Sequence, residues 1–431
     1  MCSVEMEMYK KKNEAGREVD VSIFVTTYNS EWKKLRYTLD SVLAQRNITY
    51  EIIISDDGSR ENNSTEIREY FRENSFSQYT LLENTDNVGT VRNCLRAVEP
   101  AKGRYIKGIG PGDCLIGRNC LADWVKVLRE SGKKWAFGDY LYYRRIGVDE
   151  IQIETHALFP KNIEPYLAND EAKIRYISVM EEERPSGVAT IFEKNTWKRY
   201  LEKVAGFAKY AEDLSYYLMF LEDDIPFYFR RNVVAYEIGE GVSTSRSEFW
   251  LKIMEQEKRA VNEYISGTEA YHDLLQQKEK YQKKENERWH RRSSLYCAES
   301  ELTAAMYKEC CIPYISEIQR LSAGRKVWIY GAGFCGKILE QILQEHEIAI
   351  EGYIDQNHQK LQSTEKLKVI GMGDIDCSED FIVVALMEIV PELVELIHKM
   401  EMDRHYIYIP ATRKMKVAEL MDMCVDGRNR Q

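Results

Sequence analysis

The chain has 431 residues, enough for two or three domains at roughly 150 residues each, and 44% of them are hydrophobic, so sizeable cores can form. A net charge of −10 excludes a general nucleic-acid binder, which needs clustered lysine and arginine against phosphates. No apolar run approaches the roughly 20 residues of a membrane-spanning helix, the N-terminus lacks the hydrophobic block of a secretory leader, and ten cysteines without metal-type spacing suit reduced thiols in a cytosol.

In chain order, Val21–Thr27 is a β-branched run that reads as a strand, broken by Tyr28-Asn29-Ser30. Glu31 to Arg46 follows, with Leu35, Leu39, Val42 and Leu43 at helical spacing. Tyr50–Ser55 is a second strand with a continuous apolar stretch, as in parallel sheets buried on both faces, and Asp56-Asp57-Gly58-Ser59 ends it. A helix over Glu66–Phe71, a strand over Tyr79–Leu82, a helix over Thr90–Glu99 and strands at Tyr105–Lys107 and Lys134–Tyr140 continue an alternation that predicts an α/β domain. Ligands in such sheets sit outside the carboxyl ends of the strands. Polar residues stand at three of these ends: Thr26 to Asn29, Asp56-Asp57 and, after the glycine-dense stretch YIKGIGPGDCL, Asp113. One such cluster is an ordinary turn signal; three at matching places point to a site.

Residues 246–322 are charged and rich in helix formers. Lys278, Lys280, Lys283, Lys284, Arg288, Arg291 and Arg292 form a basic segment there, diluted by Glu279, Glu285 and Glu287. It reads as a solvated helical face, with docking on an anionic membrane surface as the alternative. The pattern changes again near Gly324. Lys326–Tyr330 reads as a strand, Gly331-Ala332-Gly333-Phe334-Cys335-Gly336 as a G-x-G-x-x-G turn into a helix carrying Ile338, Leu339, Ile342 and Leu343, and Ile348–Ile354 as a strand ending at Asp355. Phe381–Leu386 is a further buried-type strand.

Taken together, VSIFVTTYN, EIIISDDGS, NVGTVRN, KGRYIKGIGPGDC, AEDLSY and GVSTS resemble, in order and spacing, the family 2 glycosyltransferases of the GT-A fold. The resemblance covers about residues 19–245. It divides the chain into a GT-A domain at 19–245, a helical connector at 246–322 and, at 323–431, a segment similar to small Rossmann-like nucleotide-binding domains. The family moves a sugar from a nucleotide-diphosphate donor to an acceptor hydroxyl with inversion. The resemblance implies that Thr26, Tyr28 and Asn29 line the nucleotide pocket, that Asp57 bonds the base, and that Asn87, Gly89 and Arg92 approach the base or phosphates. It makes Ser243 and Thr244 part of a closing loop, Asp213 the general base and Glu212 its orienting neighbour.

Asp113 becomes the anchor of a divalent cation, Mg2+ or Mn2+, that neutralises the departing diphosphate. The family usually carries several acids at this point, in a D-x-D pattern. Here Gly110 and Gly112 stand where acids commonly stand, and Asp113 remains. A metal-free variant with lysine or arginine on the diphosphate stays open. In the C-terminal segment Gly331, Gly333 and Gly336 would approach a phosphate and Asp355 a ribose hydroxyl; the alternative there is tight strand-to-helix packing in a domain that docks or dimerises. The implied partners are a nucleotide sugar, first of all a UDP-sugar, and a glycan or lipid-linked acceptor. The implied setting is surface polysaccharide assembly in the cytoplasm or at the inner face of the membrane, with room for peripheral membrane contact and for a homo-oligomer. A nucleotidyltransferase and a non-catalytic nucleotide-sugar-binding scaffold are the rival readings.

Overall fold

The valine- and isoleucine-rich runs form the centre of a sheet in the computed structural model of the protein, which describes residues 18–154, 158–222, 224–239, 247–281, 307–362, 365–376, 378–386, 391–402, 405–409 and 413–425. The chain divides into two compact units. One comprises Met1–Tyr140, Leu158–Arg291 and Val417–Gln431, the other Leu141–Ala157 and Arg292–Lys416.

In the first unit, β1 (Val21–Thr27), β2 (Tyr50–Asp56), β3 (Tyr79–Glu83) and β4 (Tyr105–Ile109) run parallel in the order β4-β1-β2-β3, with Val21 opposite both Tyr50 and Tyr105. Val21, Ile23, Val25, Ile52, Ile53 and Ile54 are fully buried, as strands covered on both faces must be. The short β5 (Cys114–Leu115) follows, then β6 (Trp135–Arg145), whose far end forms a hairpin with β7 (Glu150–Glu154) in the second unit. β8 (Thr190–Glu193) pairs antiparallel with β4 and with the start of β6, and β9 (Phe227–Glu237) pairs antiparallel with β5. The sequence reading foresees neither β8 nor β9.

The helix Trp32–Leu43 buries Leu35, Leu39 and Val42, and beside them Lys34, Thr38 and Ser41. These polar groups hold the glycine-dense turn that follows β4. Thr38 Oγ1 donates to Gly110 O at 3.1 Å and accepts from Gly112 N at 2.9 Å, Ser41 Oγ accepts from Leu115 N at 3.1 Å, and Gln45 Nε2 donates to Gly117 O at 3.0 Å. A buried loop carries backbone groups that need partners, and this one takes them from the helix Trp32–Leu43 and from Gln45 just past its end.

Helices Glu248–Ser266, Glu269–Gln276 and Lys278–Tyr281 occupy the start of the segment read as helical, and all lie in the first unit. Glu257, Val261 and Ile265 lie on one buried face of the first of them. The Glu257 carboxylate accepts hydrogen bonds from the backbone N–H groups of Lys209 (2.9 Å), Tyr210 (3.1 Å) and Ala211 (2.9 Å). The last helix, Val417–Val425, also belongs to the first unit, where Gly117 N donates to Cys424 O at 3.0 Å. Read along the chain, these residues fall within the C-terminal segment; spatially they return to the beginning. Among the described residues no helix is long and apolar enough to cross a membrane.

The second unit holds β10 (Lys326–Tyr330), β11 (Ile350–Ile354), β12 (Lys368–Ile370), β13 (Asp380–Val384) and β14 (Tyr406–Tyr408) in an all-parallel sheet of order β12-β11-β10-β13-β14. Counted along the chain from β10 this is the doubly wound order 3-2-1-4-5. Its β15 (Arg413–Lys416) pairs with β7.

The three-pronged contact of Glu257 generates a first prediction. Glu257→Ala leaves three backbone N–H groups without their acceptor and costs about 2 kcal/mol or more. Urea denaturation checks it, and a midpoint within error of the parent rules out this role.

Candidate active site

The carboxyl ends of β1 and β4 open into a cavity of about 570 Å³. β1 contributes Thr26 and, just beyond it, Tyr28 and Asn29; β4 contributes Gly108 to Gly110 and, past Pro111, Asp113. The rest of the lining comes from Ser186, Gly187 and Val188, from the turn at Glu212-Asp213, and from Glu237 at the end of β9. An aromatic stack underlies the wall. Phe192 lies face to face with Trp197 at 4.9 Å, and Phe24 with Trp197 at 5.7 Å. Gly108 has to be glycine because a Cβ there would lie 2.4 Å from the Phe24 ring.

Asp113 and Asp213, 100 residues apart in sequence, thus face one cavity. Asp113 is buried; its Oδ1 accepts from Glu237 N at 3.0 Å and its Oδ2 from Gly110 N at 3.3 Å. Burial pushes its carboxyl up to about 7, against the pull of these hydrogen bonds and of the Lys107 charge. Lys107 is fully buried, which lowers its ammonium to about 8. It donates to Gly108 O at 2.5 Å and to Val188 O at 2.7 Å. Lys107 therefore ties the Asp113 side of the cavity to the turn at Gly187–Ala189, where a Cβ on Gly187 would lie 3.5 Å from Glu212 Oε1.

Glu212 and Asp213 begin a one-turn 3-10 helix, Glu212–Leu214, held from behind by Glu257 through the residues before it. Burial, and then the charge of Asp213, push the Glu212 carboxyl up to about 8, so it holds its proton at neutral pH. The turn stays close to the aromatic stack through Ser215, whose Oγ donates to Glu212 O at 2.6 Å and accepts from Trp197 Nε1 at 3.2 Å.

The expected nucleotide residues separate into two groups. Thr26, Tyr28 and Asn29 line the cavity. Asn29 adopts a left-handed φ of 48°, and its side-chain oxygen accepts from Arg60 N at 3.0 Å. Asp57, Asn87, Gly89 and Arg92 do not line it. Asp57 Oδ1 accepts from Asn84 Nδ2 (3.0 Å) and Val88 N (2.9 Å), and Oδ2 from Gly89 N (2.9 Å), so its carboxylate organises the 84–89 loop. Gly89 is glycine for a packing reason: φ is +90°, and a Cβ would fall 2.3 Å from the Lys209 side chain. Arg92 is exposed on the helix Thr90–Val98. Ser243 and Thr244 lie outside the described residues.

Three side chains that matter here escape the sequence reading. Glu237 depends on β9, which the pattern does not announce. Lys34 pairs with it, Nζ to Oε1, at 2.9 Å. Its signal was present: a lysine one turn before Thr38 and beside Leu35 on the buried helix face. Glu257 has the same kind of signal, a lone acid in register with Val261 and Ile265.

The donor set bears on a divalent cation through its charge. Among the described residues lining the cavity the acids are Glu31, Asp113, Glu212, Asp213 and Glu237, while Lys34 is the one cationic side chain. A diphosphate entering such a wall needs added positive charge. Asp113 uses two of its roughly four lone-pair positions on backbone N–H groups, leaving capacity for a cation. Among the described residues no cluster of three or more His, Cys, Asp or Glu makes a complete cage. A divalent cation at Asp113 would have to take its remaining ligands from substrate phosphates. The residues fit the group.

In the second unit, Gly331 has a φ of +103°, and a Cβ on Gly336 would fall 1.9 Å from Gly331 O, so these two glycines serve the tight passage from β10 into the helix Phe334–Glu345. Nothing stands within 4 Å of a Cβ on Gly333. Asp355 Oδ2 accepts from Ala332 N at 3.2 Å and Oδ1 from Asn357 N at 2.7 Å.

Comparison with known proteins places these observations. Residues 22–173 match the family described as Glycosyl transferase family 2. No curated protein matches the chain. Among solved structures, S. aureus TarS 1-349 in complex with UDP is similar at 14% identity and a TM-score of 0.40, over 71% of this chain and 83% of that one. The same TarS segment with UDP-GlcNAc is similar at 17% identity and a TM-score of 0.40, over 70% and 87%. GalNAc-T7 with UDP, GalNAc and Mn2+ is similar at 16% identity and a TM-score of 0.27, over 30% and 24%. With its parallel β4-β1-β2-β3 core and a carboxylate-lined cavity at the strand ends, the first unit of this chain has the GT-A fold, and residues 22–173 of the chain match the glycosyl transferase family 2.

Proposed function

We propose that the protein is an inverting glycosyltransferase that takes a sugar from a nucleotide-diphosphate donor, first of all a UDP-sugar, to an acceptor hydroxyl. The observation that carries this reading is the meeting of Asp113 and Asp213 on one cavity beside Thr26, Tyr28 and Asn29. Tyr28, half exposed at 51%, offers an aromatic face at the rim for a base. Asp213 removes the acceptor proton as the hydroxyl oxygen attacks the anomeric carbon from the face opposite the diphosphate. Glu212 beside it is pushed toward its protonated form by burial. Asp113 would hold the divalent cation, which when bound neutralises charge on the leaving diphosphate. Lys107 and Glu257 act from behind the wall by fixing the two carboxylate-bearing turns. An acceptor that is a glycan or lipid-linked, a role in surface polysaccharide assembly, and work in the cytoplasm or at the inner membrane face complete the proposal. They follow from the family resemblance.

For the second unit we infer a nucleotide site at Gly331, Gly333, Gly336 and Asp355. Titration of the full chain with NAD and with UDP tests it: saturation by UDP at a single site with no uptake of NAD ends this part of the proposal.

UDP-, GDP- and dTDP-sugars screened for slow hydrolysis and transfer, in the presence of Mn2+, test the main reading. Asp213→Asn is expected to lower turnover about 10²–10⁴-fold while UDP still binds, and Asp113→Ala to lose turnover as well. Negligible turnover of every donor by the parent and Asp113→Ala alike favours the scaffold reading.

A second expectation concerns pH. In the unfolded chain Glu212 titrates at its ordinary value of 4.5, and in the fold at about 8. Below 4.5 both states hold the proton and the group contributes nothing. Between 4.5 and about 8 the folded state alone keeps it, so this group lowers stability as pH rises through that window, levelling off above it. Glu212→Gln removes the effect, so the stability of the variant relative to the parent climbs between pH 4.5 and 8 in urea titrations. Parallel profiles would contradict the raised value.

A further inference from the structure

The glycines at 110 and 112 remove the acids expected beside Asp113, yet the space is not vacant. Gly112 has a φ of +101°, and a Cβ there would fall 2.2 Å from Glu237 Oε2; a Cβ on Gly110 would fall 3.1 Å from Asp113 Oδ2. A carboxylate from β9, 124 residues beyond Asp113, therefore stands against the turn where a side chain at 112 would begin. Backbone geometry locks this arrangement: Asp113 Oδ1 accepts from the N–H of Glu237 itself at 3.0 Å. The Glu237 carboxylate already holds a cation, the Lys34 ammonium at 2.9 Å, and both side chains are about nine-tenths buried at 11% and 9% exposure. All three residues line the cavity.

We propose that Glu237 supplies the second carboxylate of the divalent-cation site at Asp113, replacing the acid that the glycine-dense turn lacks, and that Lys34 is the counter-ion of Glu237 when no divalent cation is bound. This rests on the glycosyltransferase reading of the cavity. Two carboxylates completed by phosphate oxygens match the ligand preference of Mg2+ and Mn2+. A buried ammonium on one of them competes with the metal directly, so the site takes up metal poorly until a nucleoside diphosphate brings its own oxygens and a new partner for Lys34.

The test uses the full chain, with Mn2+ as the probe. Free Mn2+ is counted by electron paramagnetic resonance during titration, with and without saturating UDP. The parent is expected to bind Mn2+ with UDP present and far more weakly without it. Glu237→Gln weakens Mn2+ binding in the presence of UDP about tenfold or more. Lys34→Met moves the other way and tightens UDP-free Mn2+ binding severalfold, which loss of a merely structural ion pair would not do. Parent-like Mn2+ binding by Glu237→Gln, or UDP-free binding by Lys34→Met no tighter than the parent, overturns the proposal; if Glu237→Gln does not fold, the Lys34→Met result decides it. Calorimetry of UDP binding separates this from the broader reading. A parent that binds no UDP in either EDTA or Mn2+ overturns the nucleotide-sugar site as a whole. UDP binding in EDTA that Mn2+ leaves unchanged overturns the cation site alone.

Discussion

Acidic side chains gathered around one cavity are the constraint around which the first unit is organised. Five carboxyl groups line a cavity whose described residues include a single cationic side chain. Acidic groups around one cavity repel one another, and the folded chain lowers the cost in three ways. Glu212 keeps its proton, Asp113 takes backbone N–H groups on both oxygens, and Glu237 is matched to Lys34. What remains is a site that favours an incoming cation over an incoming anion, unless the two arrive together.

Holding these groups in place falls to buried polar contacts outside the cavity. Thr38 and Ser41 on one helix and Gln45 just past its end anchor the backbone from Gly110 to Gly117. Glu257 collects three backbone N–H groups just before the Glu212-Asp213 turn. Lys107 crosses beneath the cavity from β4 to Val188. Each is a side chain satisfying backbone that would otherwise be buried and unpaired, and fully satisfied networks of this kind hold a turn more rigidly than apolar packing alone. The proposed base and leaving-group residues would need that rigidity.

The two glycine-rich turns of the protein work differently. At Gly110 and Gly112 the missing side chains admit neighbouring carboxylates to the turn. At Gly331 and Gly336 they admit only backbone and apolar neighbours, and the acid at the next strand end, Asp355, caps the loop at Ala332. The same residue type thus brings carboxylates close in one unit and backbone close in the other.

The core strands were legible in the sequence because β-branched runs buried on both faces leave little else for those residues to do. Val21–Thr27, Tyr50–Asp56 and Lys326–Tyr330 fall where the pattern puts them. So was the likeness to glycosyl transferase family 2, since strand-end motifs are local in sequence. Asp113, Glu212 and Asp213 could be named from those motifs, and Asp57 also, although its carboxylate is spent on the 84–89 loop. Tertiary structure alone decided that Glu237 stands against the turn at Gly112, that Lys34 pairs with it, that Glu257 holds the backbone just before the Glu212-Asp213 turn and that the last helix returns to the first unit. Those facts depend on contacts between residues 46 to more than 300 positions apart. A local pattern records which face of an element is buried, not which distant side chain it is buried against.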